Sequence, residues 1–468
     1  MERRNFIQSA GAAATWTALS RSRVVGANNR LNIGLIGCGG RGSLDARLMR
    51  GHVDDLQALA PDSFHDSQPD PRLTGEPRGV EIAALCDVDQ RRIDRAHAWA
   101  PNAQGYSDFR KLLESKDVDA VILATPDHWH GSIAILTCEA GKDMYIEKPV
   151  MYSLREARFI REAVRRNKRI VQIGTQHRSA EHIAEAARLV QSGRIGPVYF
   201  VRVWNYRNQG NALPSPDAPV PAGLNWEFWL GPAPKVPFNP DRLFYRNFMD
   251  YTNGVISDYG MHRFDSVHQI MGVDSPLTVA SSWTHFRTGK VQGDLPDVHQ
   301  ATYEYPGFVL SYECNIVNSH GLGGRTPGMR YYGATGQNDR PHGMAFYGTE
   351  GALFVDRIGM EFYPPETGTV DTGKASPSRP EAFHKNEAEP TAMHTKNFVD
   401  YVRARKEPFA NIDAGCRSTA VPLIGNIAAK TGQKLKWDAA RESFTNSKEA
   451  NALLFREYRK PWDLVRFS

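Results

Sequence analysis

The chain has 468 residues, 41% of them hydrophobic and 23% charged, with 57 Lys+Arg against 52 Asp+Glu and a formal net charge of +5. That length predicts two or three domains with proper cores, and the composition excludes a disordered chain or a collagen-like repeat. So thin and scattered a basic surplus excludes a dedicated nucleic-acid binder, and no apolar run reaches the ~18 residues of a membrane-spanning helix.

Much of the surplus lies at the start. Met1-Glu2-Arg3-Arg4-Asn5-Phe6-Ile7 precedes a mildly apolar stretch over 10–19 and the small-residue exit Val25-Gly26-Ala27. These are the three regions of a bacterial signal peptide, and the paired arginines resemble the twin-arginine export signal. The expectation is a folded chain exported by the twin-arginine machinery to the periplasm, with its cofactor in place and residues 1–27 removed. Those residues hold four Arg and one Glu, so the remaining chain has a net charge of +2. Cys38, Cys86, Cys138, Cys314 and Cys416 are odd in number, far apart and without CxxC spacing. That predicts buried thiols, with neither a disulfide framework nor a metal site.

Residues 31–36 read as a short buried strand running into Gly37-Cys38-Gly39-Gly40-Arg41-Gly42, a G-x-G-x-x-G turn. The first glycine allows the tight turn, the second lets backbone approach a pyrophosphate, and the third lets the following helix pack closely. A second strand, 80–87, ends in Asp87, an acid for the adenosine ribose. It lies fifty residues past Gly37 where ~20 is usual, so 51–79 reads as an inserted surface loop. Asp87 favours NAD, while Arg91 and Arg92 leave NADP open. The third strand, 118–124, ends in Thr125-Pro126-Asp127-His128-Trp129-His130; another ends in Glu147-Lys148-Pro149, and a helix over 154–167 precedes a strand over 169–173. This alternation predicts an α/β fold, a doubly wound parallel Rossmann sheet with ligands at the carboxyl ends of its strands.

The glycine turn, Cys86-Asp87, Thr125-Pro126 with its following His, Glu147-Lys148-Pro149 and Asp258-Tyr259-Gly260-Met261-His262 together resemble the Gfo/Idh/MocA family of oxidoreductases. The resemblance implies an NAD(P)-binding Rossmann domain over 28–175. A substrate-binding and oligomerisation α+β domain with an open, mostly antiparallel sheet follows over 176–437. Stretches 198–204, 277–282, 299–305 and 308–313 read as its strands, and 212–223, 231–240 and 364–380 as loops. Residues 438–468 would pack on both domains, helical over 449–462 before an extended tail.

Moving a hydride off a secondary alcohol needs a base for the hydroxyl proton. His262 suits that role as a neutral imidazole, and Asp258, four residues earlier on a predicted helix over 256–271, would share its face and orient the ring or bind the substrate. Lys148 would bridge the nicotinamide ribose and the substrate oxygen and stabilise a developing alkoxide. The family gives these roles to the matching Lys, Asp and His. Taken singly, each has an ordinary structural explanation; their coincidence carries the assignment. The predicted cofactor set is Gly37, Gly39, Gly40, Arg41, Gly42, Asp87, Thr125, Pro126, Glu147, Lys148 and His130, the last as pocket lining or as a cap of the next helix. Gln176, His177 and Arg178 follow the last nucleotide-domain strand and would face the cleft. Asn205, Tyr206, Arg207, Asn208, Trp226, Trp229, Tyr245 and Arg246 interleave polar groups with rings, as sugar sites do. The expected activity is oxidation of a secondary hydroxyl of a sugar, sugar derivative or cyclitol by a homo-oligomer that retains and recycles its cofactor. A redox-neutral NAD-dependent glycosidase is the alternative, and a non-catalytic sugar-binding protein the third.

Overall fold

The computed structural model describes residues 30–51, 78–206, 213–285, 287, 292–317, 342–357, 359–365, 382–385 and 390–467. The predicted export signal, most of the inserted loop, and Arg207 and Asn208 lie outside them.

Six parallel strands, β1 (Leu31–Ile36), β2 (Val80–Cys86), β3 (Gln104–Tyr106), β4 (Ala120–Leu123), β5 (Asp143–Ile146) and β6 (Val171–Ile173), form a sheet in the order β3-β2-β1-β4-β5-β6. Helices cover both faces, which is why β4 and β5 are buried at every position and read as apolar runs, unbroken in β4 and headed by Asp143 in β5. The strand order reverses between β1 and β4. Ile36 pairs with Leu123 and Leu123 with Ile146, so the glycine turn, Thr125 and Lys148 leave the sheet side by side. The stretch read as the third strand is β4. The actual third, β3, is a polar three-residue edge strand whose sequence carries no periodicity.

The second sheet has ten strands: β7 (Val198–Tyr206), β8 (Thr278–Thr284), β9 (Val298–Tyr305), β10 (Phe308–Asn315), β11 (His342–Gly348), β12 (Gly351–Val355), β13 (Gly359–Tyr363), β14 (Ala382–Lys385), β15 (Leu435–Asp438) and β16 (Ser443–Phe444). Their order is β14-β13-β12-β11-β7-β10-β9-β8-β15-β16, with β7 and β10 parallel and the other pairs antiparallel. On one face, Val201, Val203, Leu310 and Tyr303 pack under the helices Gly260–Met271 and Ile412–Thr431. Val309 lies on the opposite face, where Phe200 stacks on Tyr347.

Three expectations change. The helix Thr391–Ala404, inside the span assigned to the second domain, packs on the first: Phe398, Val399 and Val402 are buried with Ile33, Leu35 and Ile82. The carboxyl-terminal helix is only Lys448–Ala452; beyond it the chain runs extended across the seam between the domains. There Trp462 stacks on Phe228 (4.7 Å between ring centres) and meets Trp129 edge-on (5.5 Å). Finally, the helix predicted over 256–271 is two helices, Gly254–Asp258 and Gly260–Met271, parted at Tyr259. Gly260 there lies against Tyr312, with an added Cβ only 3.1 Å from its ring. All five cysteines are free and buried, and burial pushes Cys138, Cys314 and Cys416 up to about 12, so they stay thiols.

Candidate active site

The glycine turn is built for a close ligand. Gly37 has φ of +97°, and an added Cβ would stand 2.5 Å from the Ala124 carbonyl oxygen, so only glycine fits between β1 and β4. A Cβ on Gly42 would fall 2.2 Å from the Gly37 oxygen, the close helix–strand packing expected of the third glycine. Gly37, Gly39, Gly40, Arg41, Thr125 and Pro126 line a cavity of about 450 Å³. At its adenosine end, Asp87 accepts from the Cys38 (2.9 Å) and Asp89 (3.0 Å) amides, and burial raises its carboxyl above the usual range. Arg92 lines the same end. Thr125 Oγ1 is buried without a hydrogen-bond partner, a donor awaiting a ligand.

The cavity's far wall is aromatic, an arrangement sequence reasoning missed. Phe109 and Trp129 come from the first domain; Phe228, Trp229, Phe244 and Tyr245 come from the second. Tyr245 and Arg246, expected at the substrate, therefore also border this dinucleotide cavity.

Lys148 and the second domain meet at the other end of the cleft. Lys148 Nζ donates to Asp258 Oδ1 (2.5 Å) and to the Asp258 carbonyl (2.9 Å), and Arg246 Nε reaches the same Oδ1 at 3.2 Å. Asp258 thus positions Lys148 and contacts Arg246, and Lys148 in turn acts on His262. His262 is buried against His177, ring centres 5.0 Å apart. Burial, then Lys148 and His177, hold the His262 imidazole well below its ordinary value, and burial with Arg263 and Arg357 does the same for His177. Both rings are neutral at pH 7, and His262 Nδ1 has no hydrogen-bond partner.

Several predicted ligands are supports instead. His130 places its ring nitrogens on the Pro149 (2.6 Å) and Thr125 (2.9 Å) carbonyls, tying the ends of β4 and β5 together from a buried position. Glu147 is buried; its Oε1 accepts from Arg41 (3.0 Å) and Gln176 (2.9 Å). Burial works against its charge, but Arg41 and Lys148 more than offset that and hold it below the usual carboxylate range. Gln176 accordingly braces Glu147 rather than facing the cleft. Arg178 is committed to both oxygens of Asp265 (2.8 and 3.0 Å). Tyr206 alternates away from Asn205 and packs with Trp204 and Phe354 on the far face of the ten-stranded sheet. Trp226 stacks on Trp229 (4.7 Å) and donates to the Val236 carbonyl (3.0 Å), a packing role.

The fold and this site define a two-domain dinucleotide-binding protein with a Lys–His pair at the domain seam. Residues 31–175 match the model of an oxidoreductase family with an NAD-binding Rossmann fold, and 187–288 with 378–464 match the same family's C-terminal alpha/beta domain. The chain belongs to the Gfo/Idh/MocA oxidoreductase family. It is 30% identical over 155 residues to inositol 2-dehydrogenase of Salmonella paratyphi B, covering 33% of this chain and 45% of that one. The chain spans about half the length of the inositol 2-dehydrogenases it matches. The match to scyllo-inositol 2-dehydrogenase (NAD(+)) of Bacillus subtilis is longer, 25% identical over 369 residues, 78% of this chain and 90% of that one. The solved aldose-aldose oxidoreductase from Caulobacter crescentus shares the fold at 17% identity and a TM-score of 0.58, over 87% of this chain and 99% of that one.

Proposed function

We propose that the protein is an NAD-dependent dehydrogenase acting on a secondary hydroxyl of a sugar, sugar derivative or cyclitol. The observation that carries this is the pairing of Lys148, fixed by Asp258, with a buried neutral His262 beside a glycine-turn cavity. The cavity residues fit NAD: Gly37, Gly39 and Gly40 leave room for the pyrophosphate, Thr125 offers an unpaired hydroxyl, and Asp87 stands where the ribose hydroxyls fall. NAD, when bound, supplies the hydride acceptor. Of the three Lys148 N–H bonds, two are taken by Asp258, so the third is left for the substrate oxygen. There the ammonium charge stabilises developing alkoxide, while His262 can take the hydroxyl proton at Nδ1.

Twin-arginine export would put this chemistry where no nicotinamide pool exists, so the cofactor must stay bound and be restored within each cycle. The aromatic wall from both domains and the Trp462 seam support retention. A second copy is expected on the outer sheet face, where Val309 is exposed. Purified full-length protein, incubated with NAD and a panel of cyclitols, sugars and glycosides, should give stoichiometric reduced nicotinamide with at least one polyol. His262→Ala should still bind NAD but lose that signal. Release of aglycone without net reduction would replace the dehydrogenase by the redox-neutral glycosidase, and failure to bind NAD would overturn both.

A further inference from the structure

Beside the His262–His177 pair the protein buries positive charge for which the described residues show too little compensation. Arg263 follows His262 in the chain, is 1% exposed, and is the largest fully buried side chain among the described residues. Its Nη2 meets His342 Nδ1 at 2.8 Å, a lone pair on a ring nitrogen rather than a charge, while Nε and Nη1 have no hydrogen-bond partner. Buried guanidinium nitrogens are rarely left that way unless a ligand completes them. The charged groups that act on Arg263 are Arg357, which repels it, and Asp356. Asp356 has already committed Oδ1 to the Gly359 amide (3.0 Å). Burial first, then Arg357, pulls the Arg263 guanidinium down to about 9, still cationic at pH 7.

Other unsatisfied polar atoms gather nearby. Asn205 lies directly opposite His342 across β7 and β11. It and Tyr312 are close enough to influence each other, yet neither the amide nor the hydroxyl makes a hydrogen bond of good geometry. His177 Nδ1 and His262 Nδ1 are also unpaired. Arg263 and Arg357 both act on the two imidazoles, so the cationic patch adjoins the proposed base. Amide, hydroxyl and imidazole suit the hydroxyls of a polyol; a guanidinium suits a carboxylate.

Resting on the dehydrogenase reading above, we infer that the natural substrate is a polyhydroxy carboxylate, a uronate or aldonate, whose carboxylate completes Arg263 while a neighbouring hydroxyl meets Lys148 and His262. A carboxylate there would also offset the share that Arg357 and Arg263 add to burial, Lys148 and His177 in keeping His262 weakly basic.

The test uses the full-length protein loaded with NAD and compares D-glucuronate and D-galacturonate with D-glucose and D-galactose, reading affinity by calorimetry and turnover by nicotinamide reduction. At least one acid should bind about 10–100-fold tighter than its neutral parent, as a charge-assisted bond in a dry site allows. In Arg263→Gln, checked for folding by retained NAD binding, that ratio should collapse to within about twofold of one, and Arg263→Lys should keep part of it. Should Arg263→Gln not fold, the wild-type ratio together with Arg263→Lys decides. Neutral sugars oxidised as well as their acids, or an acid preference undiminished in the variants, would overturn the inference and leave the dehydrogenase standing. Absence of NAD binding would instead remove the reading on which it rests.

Discussion

Asp258→Asn probes a carboxylate that joins the two domains at the site. The wild-type oxygen lies 2.5 Å from Lys148 Nζ and 3.2 Å from Arg246 Nε, with the Lys148 and Asp258 side chains 9% and 11% exposed. Unit charges 2.5 Å apart attract by roughly 6–7 kcal/mol at an effective dielectric of 20, before desolvation is charged against them. Removing one member of a buried pair costs about 3–5 kcal/mol. Asparagine keeps an acceptor, and the Asp258 carbonyl still holds Nζ at 2.9 Å, so the expected loss of stability lies below that range, about 2–3 kcal/mol. The catalytic effect should be of similar size in free energy. An ammonium relieved of its carboxylate is free to leave the substrate oxygen, and losing one such donor costs about a hundredfold in kcat. Urea unfolding gives the first quantity, and nicotinamide reduction at saturating NAD gives the second, with KM read alongside. A variant that loses stability but keeps kcat within about threefold would refute the reasoning, reducing Asp258 to a domain clamp.

Gly37→Ala forces a Cβ into the left-handed region and 2.5 Å from the Ala124 oxygen, strain of about 1–3 kcal/mol; NAD affinity by calorimetry should fall at least about tenfold, and an unchanged affinity would deny the turn its role. Acid should destabilise the protein through its histidines. Burial holds His128 and His268 at about 3 and His299 and His394 at about 4, below the ~6.5 of the unfolded chain. The unfolded state therefore takes up protons first, and each ring removes about 1.4 kcal/mol per pH unit as pH falls from ~6.5 toward ~4. Glu156, raised by burial to about 7, acts oppositely: its contribution is complete below ~4.5 and is lost as pH rises through 7. Urea midpoints measured from pH 8 to 5 should drop most steeply below 6.5, and His268→Gln should flatten that slope by about one proton.

The first sheet was readable because a parallel strand buried on both faces is a run of apolar residues, and because the glycine turn has one steric purpose. β3 escaped because three edge residues carry neither signal. The second sheet was readable where strands alternate, as in β9 and β10. Its β11–β13 strands, interrupted by Gly343, Gly348 and Gly351, were not. Side-chain assignments followed the same division. Lys148 and His262 are set by positions at a strand end and in a helix's first turn, which motifs record. The partners of Glu147, Gln176 and Arg178 are 87–106 residues away or lie across the sheet, and no local pattern distinguishes a residue that braces a ligand-binding loop from one that faces the ligand. Asp258 is the sharpest instance: helix pitch suggested a partner on its own helix, and its carboxylate is held by Lys148, 110 residues away. Arg263 carried a signal that was open to reading. It sits in a helix buried at every position from Gly260 to His268, where a charge demands a counter-charge, and the nearby acid, Asp265, is taken by Arg178.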